Sequence, residues 1–469
     1  MGPPTYTLHK IMAGLLDVYE HCDNPQALDI LEKLAGWLLF RTRRLTQEQM
    51  EISLLNEPGG ITEALANLYA ITQKPEHREL LFAFNHELLL DPLARGEDLL
   101  DRLHANTQIP KAIGAARQYE VTGETRSRRI AEFFWQRVAL ARSFAIGGNS
   151  DDELFFPVDR FSQHLSPKSA ETCNTYNMLK LTRHIFSWDP STEVMDFYER
   201  ALFNHILGSQ DPETGMMTYF ISHKPGHVKV YNTPERSFWC CTGTGMENHA
   251  KYGDTIYYHD DDALYVNLFI ASELTWEEKG LRLHQETGFP EEDSTHIQLS
   301  CEQPVNLTLK IRSPAWAQGV QVKINGQRID LNAEPGKYIS IEHQWRDGDQ
   351  IDVQLPMKLR LETLPYADDW IVFLYGPLVL VGALGTENMP DVYLDTHTRS
   401  ASINYLPTPP IPSLKGTQEQ ILAGIAPVTG EPLTFVTRDI GLPADVELVP
   451  FYRLHHQRYT IYWKWQQGT

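Results

Sequence analysis

The chain has 469 residues, of which 42% are hydrophobic and 22% are charged, and its formal net charge is −20. These values are typical of a globular protein with roughly two to four domains. The acidic balance excludes nucleic acid as a partner, because a polyanion is bound by clustered Lys and Arg. No run of about 18 apolar residues occurs, which excludes a membrane-spanning helix and a membrane partner. The first ten residues lack the pattern of a signal peptide, which predicts a cytoplasmic location.

Helical periodicity extends from Thr5 to about Tyr258. It predicts about nine helices, mostly in hairpin pairs, and one of them is predicted to run from Pro75 through about Leu90. Helical pairs over this length indicate a solenoid or a closed toroid. Two longer loops, at 146–165 and 211–239, interrupt the helices, and such loops are the usual places for a functional site. Residues 1–258 are therefore predicted to form a helical domain.

The pattern changes near Asp260, where apolar residues begin to alternate with period two. Asn325-Gly326 adds a strong hairpin signal. We therefore predict a β-sandwich domain at 259–364 and a second, looser β-domain at 365–469. The predicted strands of the first β-domain are Ala263–Ile270, His296–Cys301, Val305–Ile311, Val320–Ile324 and Ile351–Leu355.

The chain has five cysteines, too few and odd in number for a disulfide framework. Cys240 and Cys241 are adjacent, and Cys173 lies two residues after Glu171. Three thiols and one carboxylate match the tetrahedral ligand set that Zn²⁺ accepts. The alternative is a group of buried free cysteines that behave as small hydrophobic residues.

The spacing of these residues predicts their backbone. On a helix, residues i and i+2 lie about 200° apart, so Glu171 and Cys173 would face different directions. We therefore predict that the helix begins near Asn174. Cys240 and Cys241 are predicted to lie on an irregular loop, for which Gly243 and Gly245 supply the conformational freedom.

The loop at 147–156 offers three carboxylates, those of Asp151, Asp152 and Glu153. A thiolate that attacks a sugar also needs a proton donor for the leaving oxygen. Glu153 precedes the apolar run Leu154–Phe156, which is expected to raise its pKa toward the range of a general acid. The alternative is an ordinary solvated acidic loop.

Several motifs together resemble the zinc-dependent β-L-arabinofuranosidases of glycoside hydrolase families 127 and 146. The resemblance covers essentially the whole chain, and its motifs are specific. They are AETCNTYNMLKL at 170–181, FWCCTGTGME at 238–247, YTLHKIMAGL at 6–15, LHANTQIP at 103–110, GGNS at 147–150 and PFYR at 450–453.

The resemblance implies an (α/α)6 barrel followed by two β-sandwich domains. It implies that Glu171, Cys173, Cys240 and Cys241 bind Zn²⁺ and that Cys240 is the nucleophile of a retaining mechanism with a thioglycosyl intermediate. It assigns the general acid/base to Glu153. The implied activity is an exo-glycosidase that removes terminal β-L-arabinofuranosyl residues.

The resemblance also implies four substrate-binding residues, His9, Glu199, His104 and Gln108. The expected partner is an arabinose-containing glycan or oligosaccharide, and a homodimer is a further expectation. Members of the family begin upstream of the first motif, so about three N-terminal helices, and with them a signal peptide, are expected to be missing.

Two other functions remain open at this point. One is another sugar-active helical toroid, such as an epimerase or an unsaturated-uronide hydrolase, whose sites use His or carboxylate pairs without a thiol cluster. The other is an inactive carbohydrate-binding fragment with a purely structural zinc. Metal analysis distinguishes the first alternative from a thiol-dependent glycosidase, because the first needs no thiol cluster. An activity assay distinguishes the second, because a binding fragment would bind sugar without turnover.

Overall fold

The computed structural model of the chain describes residues 4–330, 333–389 and 408–467. The chain divides into two compact units. The first unit comprises Met1–Arg142, Glu153–Pro157 and Asn177–Trp188, and the second comprises Ser143–Asp152, Val158–Tyr176 and Asp189–Thr469. Among the described residues, no helix combines the length and the apolar character that crossing a bilayer requires.

Eleven α-helices precede residue 251 in the described part of the chain. Short π-helices directly follow two of them, at Gln136–Leu140 and Leu202–Ile206, and a further helix, α12, spans Gln418–Ala423. The eleven are α1 Pro4–His21, α2 Pro25–Thr42, α3 Gln47–Leu55, α4 Ile61–Thr72, α5 Pro75–Ala83, α6 Glu87–Ala94, α7 Ala105–Thr122, α8 Thr125–Trp135, α9 Thr172–Trp188, α10 Thr192–Ala201 and α11 Cys240–Ala250.

In the first unit, α4 contacts α1, α5 and α7. Its buried residues recur at positions i, i+3, i+4 and i+7, which is the spacing of one helix face. Gly114 of α7 permits a close approach, because a Cβ there would meet the side chain of Thr62. The buried face of α4 contributes to an apolar core of this unit, and it consists of Ile61, Ala64, Leu65 and Leu68.

The helix count differs from the prediction of about nine. The sequence pattern did not indicate α3, which begins with a capping box in which the Thr46 and Gln49 side chains each bond the other's backbone N–H. The single helix predicted from Pro75 to Leu90 is two helices, because the chain leaves the helix after Ala83 and His86 forms the N-cap of α6. Apolar periodicity continues across this break, so the pattern alone did not reveal it.

The second unit contains two sheets that precede residue 356. Their strands are β1 Tyr257–His259, β2 Ala263–Val266, β3 Ser272–Trp276, β4 Leu281–Thr287, β5 Ser294–Cys301, β6 Val305–Ser313, β7 Gln321–Ile324, β8 Gln327–Arg328, β9 Lys337–Trp345 and β10 Gln350–Gln354. One sheet has the order β1-β2-β6-β9 and the other β3-β4-β5-β10-β7-β8. Both sheets contribute to one apolar core that includes Leu283, Leu309, Ile341 and Val353, as expected of a β-sandwich.

The remaining strands form a third sheet with its own core, which includes Phe373, Leu380 and Trp463. The central order of this sheet is β15-β16-β18-β13-β12-β20-β14-β17, and β11 and β19 pair with β12 and β13. Its strands are β11 Leu359–Leu364, β12 Ala367–Tyr375, β13 Leu378–Ala383, β14 Ser413–Gly416, β15 Ile425–Pro427, β16 Phe435–Thr437, β17 Gly441–Leu442, β18 Glu447–Pro450, β19 Tyr459–Thr460 and β20 Trp463–Gln467.

The predicted hairpin at Asn325-Gly326 is confirmed. These two residues connect β7 to β8, which pair antiparallel. Both have positive φ, 50° and 77°, as the favoured two-residue turn requires. The five predicted strands of the first β-domain are also present, although β1, β3, β4 and β9 were not predicted, and β1 includes Tyr257 and Tyr258, which were predicted to be helical. The residue ranges of the three predicted domains stay predictions.

Candidate active site

Two helix N-termini supply the residues of the predicted metal site, all of them in the second unit. Glu171 directly precedes α9 and forms an isolated β-bridge with Phe220. Cys173 lies in the first turn of α9, and Cys240 and Cys241 are the first two residues of α11. Segments about seventy residues apart in the chain therefore meet at one place.

The four side chains form one cluster, in which the potential ligand atoms all lie within 4.8 Å of one another. Glu171 Oε1 lies 3.7 Å from the Sγ atoms of both Cys240 and Cys241, and these two sulfurs are 4.0 Å apart. Cys173 Sγ and Cys241 Sγ are 3.1 Å apart, beyond the length of about 2.05 Å of a disulfide bond.

The cluster can hold a metal ion. A tetrahedral Zn²⁺ with Zn–S bonds of about 2.3 Å separates neighbouring sulfurs by about 3.8 Å. The Cys240 and Cys241 sulfurs are 4.0 Å apart, close to this value, the Cys173 and Cys241 sulfurs are closer at 3.1 Å, and the donors are three thiols and one carboxylate. The residues present therefore fit zinc.

The backbone predictions for these residues were wrong in two respects. Helix α9 begins at Thr172 rather than near Asn174 and includes Cys173. Only Glu171 precedes the helix, so the 200° separation within a helix does not apply to this pair. Cys240 and Cys241 belong to a helix rather than to an irregular loop. Adjacent residues on a helix lie about 100° apart, which allows both thiols to face the cluster.

The glycines after the cysteine pair also have a different role from the one predicted. Gly243 and Gly245 are helical, so neither supplies a loop conformation. A Cβ at Gly245 would meet the side chain of Met217. Gly245 is therefore suited to close packing of α11 against the loop that carries Met217.

Helix dipoles favour negative charge at this site. The N-termini of α9 and α11 both lie at the cluster, and a helix N-terminus carries partial positive charge and free N–H donors. Hydrogen bonds from Cys173 and then Cys241 lower the pKa of Cys240, whereas burial raises the pKa values of Cys173 and Cys241. Among the three thiols, Cys240 is therefore the most readily ionised, and the thiolate is the nucleophilic form.

The three sulfurs differ in their exposure to solvent. Cys173 and Cys241 are buried, with exposures of 1% and 0%, and Glu171 is equally buried. Cys240 is the half-buried member of the cluster. A substrate that approaches from solvent can therefore reach Cys240 more easily than the other two thiols.

Sequence reasoning missed two polar neighbours of the cluster. The hydroxyl of Tyr219 lies 3.6 Å from Cys240 Sγ, and Thr244 Oγ1 lies 3.2 Å from Cys173 Sγ. Thr244 could have been found, because residues i and i+4 share a helix face once Cys240 is placed on a helix. Tyr219 lies in the 211–239 loop, and no local pattern indicated it.

Glu153 lies in the first unit, where its position is set by backbone pairing. Its carbonyl accepts from Ala105 N at 2.8 Å, and Phe155 N donates to Leu103 O at 2.9 Å. Its side chain is 34% exposed, and Oε2 lies 3.4 Å from His104 Nε2. Glu153 has a φ of 70°, a strained conformation for this residue type that is often found at functional sites.

The two neighbouring carboxylates have partners in the second unit. Asp151 lies 2.8 Å from His164 Nδ1 and accepts from the hydroxyl of Ser166. Asp152 pairs with Lys168 at 2.8 Å. These contacts give both aspartates a role in ordering the loop.

Three of the predicted substrate-binding residues lie in the first unit. His9 Nδ1 accepts from Gly60 N at 3.2 Å, and burial lowers the pKa of His9 to about 4. Gln108 is buried; it donates to His104 O and accepts from Lys111 Nζ. His104 and Gln108 line one pocket of about 340 Å³. The predicted contacts of all three with sugar stay predictions.

Glu199 lies in the second unit on α10 and is 1% exposed. Its carboxylate accepts from Arg312 Nη2 and, at 2.8 Å, from Trp316 Nε1. These contacts join α10 to β6 and to the segment that follows it. The predicted contact of Glu199 with sugar stays a prediction.

Three known domain families match three consecutive parts of the chain. The profile of the β-L-arabinofuranosidase GH127 catalytic domain matches residues 3–254, and that of the GH127 middle domain matches residues 263–357. A domain of unknown function matches residues 360–465. No curated protein matches the chain.

Solved structures with the same fold are distant in sequence. A GH127 β-L-arabinofuranosidase from Geobacillus stearothermophilus T6, Ara127N-Se, is 17% identical with a TM-score of 0.71, and the match covers 98% of this chain and 80% of that chain. A GH127 β-arabinofuranosidase, BT3674, is 19% identical with a TM-score of 0.69, and the match covers 99% and 78%. A structure described as a glycoside hydrolase is 16% identical with a TM-score of 0.74, and the match covers 98% and 83%.

These matches confirm the predicted class, a helical domain followed by β-sheet domains. The GH127 catalytic profile covers more than half of the chain, and the middle-domain profile follows it in order. The chain belongs to the glycoside hydrolase family GH127 of β-L-arabinofuranosidases.

Proposed function

We propose that this glycoside hydrolase removes terminal β-L-arabinofuranosyl residues from an arabinose-containing glycan with net retention of configuration, with Cys240 as nucleophile and Glu153 as general acid/base. The observation that carries the proposal is the cluster of Glu171, Cys173, Cys240 and Cys241, in which Cys240 is the half-buried sulfur. The family supplies the reaction class.

The first step forms a bond between Cys240 Sγ and the anomeric carbon while the glycosidic C–O bond breaks. Glu153 donates its proton to the leaving oxygen. The hydroxyl of Tyr219, 3.6 Å from Cys240 Sγ, steadies the sulfur before the attack. The product of this step is a thioglycosyl enzyme and the released alcohol.

In the second step Glu153, now ionised, takes a proton from water, and the water oxygen bonds to the anomeric carbon. The C–S bond breaks, and Cys240 regains its thiolate form. The helix N-termini at the cluster favour that negative charge. Two displacements at one carbon give net retention.

Glu171, Cys173, Cys240 and Cys241 are the residues that would hold Zn²⁺. Bound zinc keeps thiols in the thiolate form at neutral pH, which favours both the attack by sulfur and its later departure. Glu171, Cys173 and Cys241 are almost fully buried, so their role is to hold the ion and to orient Cys240.

An assay with a 4-nitrophenyl β-L-arabinofuranoside tests the proposal. We expect Cys240→Ser and Glu153→Gln to lower kcat at least about 100-fold, whereas Cys301→Ser and Asp152→Asn serve as matched controls with near-normal turnover. Mass spectrometry of quenched wild-type enzyme should show a pentosyl adduct on Cys240.

Several outcomes of this assay contradict the proposal. Wild-type-like turnover by Cys240→Ser or by Glu153→Gln removes that residue from its role. Sugar binding without any turnover by the wild-type chain supports the other open function, a carbohydrate-binding fragment with structural zinc. The homodimer and the cytoplasmic location stay predictions.

A further inference from the structure

A second pocket of about 420 Å³ lies in the second unit, and none of the four cluster residues lines it. Its walls come from α10, from the segment after β6 and from the start of β11. The residues that characterise it are Arg200, Trp316, Lys358, Arg360 and Glu362. Neither Cys240 nor Glu153 lines this pocket, whereas Glu199, whose contact with sugar stays a prediction, does.

One side of the pocket has an excess of positive charge. Arg200 pairs with Glu362 through two bonds of 2.9 and 2.8 Å, and the Arg360 Nε atom lies 3.5 Å from the same carboxylate. Lys358 is exposed and makes no side-chain hydrogen bond or ion pair with the residues that the structure describes. This side therefore has three cations and one carboxylate, which contacts two of them.

The two carboxylates on the other side share one buried guanidinium. Arg312 is fully buried and pairs with Asp196 at 2.5 Å and with Glu199. Trp316 Nε1 also donates to Glu199. With Arg312 counted, four cations and three carboxylates surround the pocket, which leaves an excess of one positive charge. In a chain with a net charge of −20, a pocket with this excess of cations is suited to an anionic ligand.

Burial disfavours the positive charge of Arg360, so a nearby anion would stabilise it. Burial is the main cause that lowers the pKa of the Arg360 guanidinium, and Arg200 lowers it further. Glu362 is the carboxylate that the two guanidinium groups share. A second anion beside Arg360 and Lys358 would relieve this repulsion.

Trp316 supplies an aromatic wall with a fixed orientation. The ring is half-buried and stacks on Phe289 with a centroid distance of 6.1 Å and an interplanar angle of 14°. Its hydrogen bond to Glu199 fixes the ring edge. An immobilised indole beside cations can bind a ligand ring through its apolar face while the charges bind an acidic substituent.

We propose that this pocket is a second saccharide-binding site, specific for a sugar that carries a carboxylate, that is, a glycuronate. Trp316 packs against the sugar ring, and Lys358 and Arg360 bind the carboxylate. A carboxylate accepts two parallel hydrogen bonds from a guanidinium, which gives this pairing its specificity. The site would hold an acidic part of the glycan independently of the hydrolysed bond.

Calorimetric titration of the full chain with methyl β-D-glucuronide and methyl β-D-glucoside tests the proposal, because the two probes differ at the carboxylate. We expect the glucuronide to bind at least about tenfold more tightly than the glucoside and its affinity to fall as salt is raised. Lys358→Ala should weaken glucuronide binding about fivefold or more. Lys323→Ala, an exposed lysine of the same β-domain, is the matched control and should leave the affinity unchanged.

Lys358 is exposed, so its replacement is not expected to affect folding, and thermal melting checks this. A Trp316→Ala variant gives an independent measure, since it should weaken both probes. Equal affinities for the two probes, or unchanged glucuronide binding in Lys358→Ala, overturns the proposal. The same titration with Cys240→Ser should give the wild-type affinity, and this result separates the second site from the hydrolytic one.

Discussion

Cys240 Sγ lies 3.7 Å from Glu171 Oε1, although the two residues are 69 positions apart in the chain. The contact unites the N-terminus of α11 with the residue that precedes α9. It brings the half-buried sulfur next to a buried carboxylate and two buried thiols. Four predictions concern this cluster and the buried titratable groups of the second unit.

Metal binding is expected to depend on the buried thiols. Wild-type protein purified with zinc should contain about one Zn²⁺ per chain, and Cys173→Ser should lose most of it, because zinc binds a thiolate more strongly than a hydroxyl. Cys301→Ser replaces a cysteine outside the cluster and is the control. Plasma emission spectrometry measures the content, and full zinc occupancy in Cys173→Ser would contradict the assignment.

Tyr219 is expected to position the nucleophile without binding the metal. Its hydroxyl lies 3.6 Å from Cys240 Sγ, so Tyr219→Phe removes the contact and keeps the ring. We expect kcat to fall about threefold to tenfold, the size of one ordinary hydrogen bond of about 1 kcal/mol, with zinc content unchanged. Tyr366→Phe, a change at an exposed tyrosine, is the control. A loss of zinc in Tyr219→Phe would show a structural role instead.

Acid is expected to destabilise the fold through buried histidines. Burial lowers the pKa of His205 and of His223 from 6.5 to about 3. The unfolded chain therefore binds more protons than the folded chain between about pH 6.5 and pH 3, so the free energy of unfolding falls as the pH falls through this range. Each histidine should cost about 2 kcal/mol by pH 5.

Urea denaturation of wild type and His205→Gln between pH 7 and pH 5 measures this effect. We expect the glutamine variant to lose less stability on acidification, since one titrating group is gone. His259→Gln replaces an exposed histidine and should retain the wild-type slope. Parallel pH profiles for His205→Gln and wild type would show that His205 does not titrate as described.

The buried ion group around Arg312 is expected to contribute strongly to stability. Arg312→Met leaves the Asp196 and Glu199 carboxylates without their counter-charge, which should cost about 3 kcal/mol or more. Lys33→Ala breaks an exposed pair with Asp29 and should cost less than about 1 kcal/mol. The double variant Arg312→Met/Glu199→Gln should recover part of the loss in chemical denaturation, and equal losses in the two single variants would contradict the prediction.

The clustering of Glu171, Cys173, Cys240 and Cys241 could be predicted from the sequence, but their backbone could not. The thiol and carboxylate types matched zinc chemistry, which depends on side chains alone. The helical state of Cys240 was missed because a helix start depends on the preceding residue, and Trp239 is the extended N-cap here while its Nε1 donates to Asn232 Oδ1. The break between α5 and α6 was missed for a related reason, since apolar spacing continues across it.

Local sequence patterns were sufficient to predict which segments are helices and which are strands. They were also sufficient to identify the thiols and carboxylates of the candidate site. Side chains repeat every 3.6 residues in a helix and every two in a strand, and this periodicity is visible in the chain itself. The hairpin at Asn325-Gly326 likewise needed only the two residues that tolerate positive φ.

Contacts between residues far apart in the chain were decided by tertiary packing. Tyr219 and Cys240 meet only because a loop and a helix N-terminus pack together, and Glu199 pairs with Arg312 across 113 positions. Such contacts form when distant apolar faces are buried, which no local window of sequence records. The four residues of the candidate metal cluster were therefore visible in the sequence, whereas the exposure of Cys240 and the burial of its partners were decided by tertiary structure.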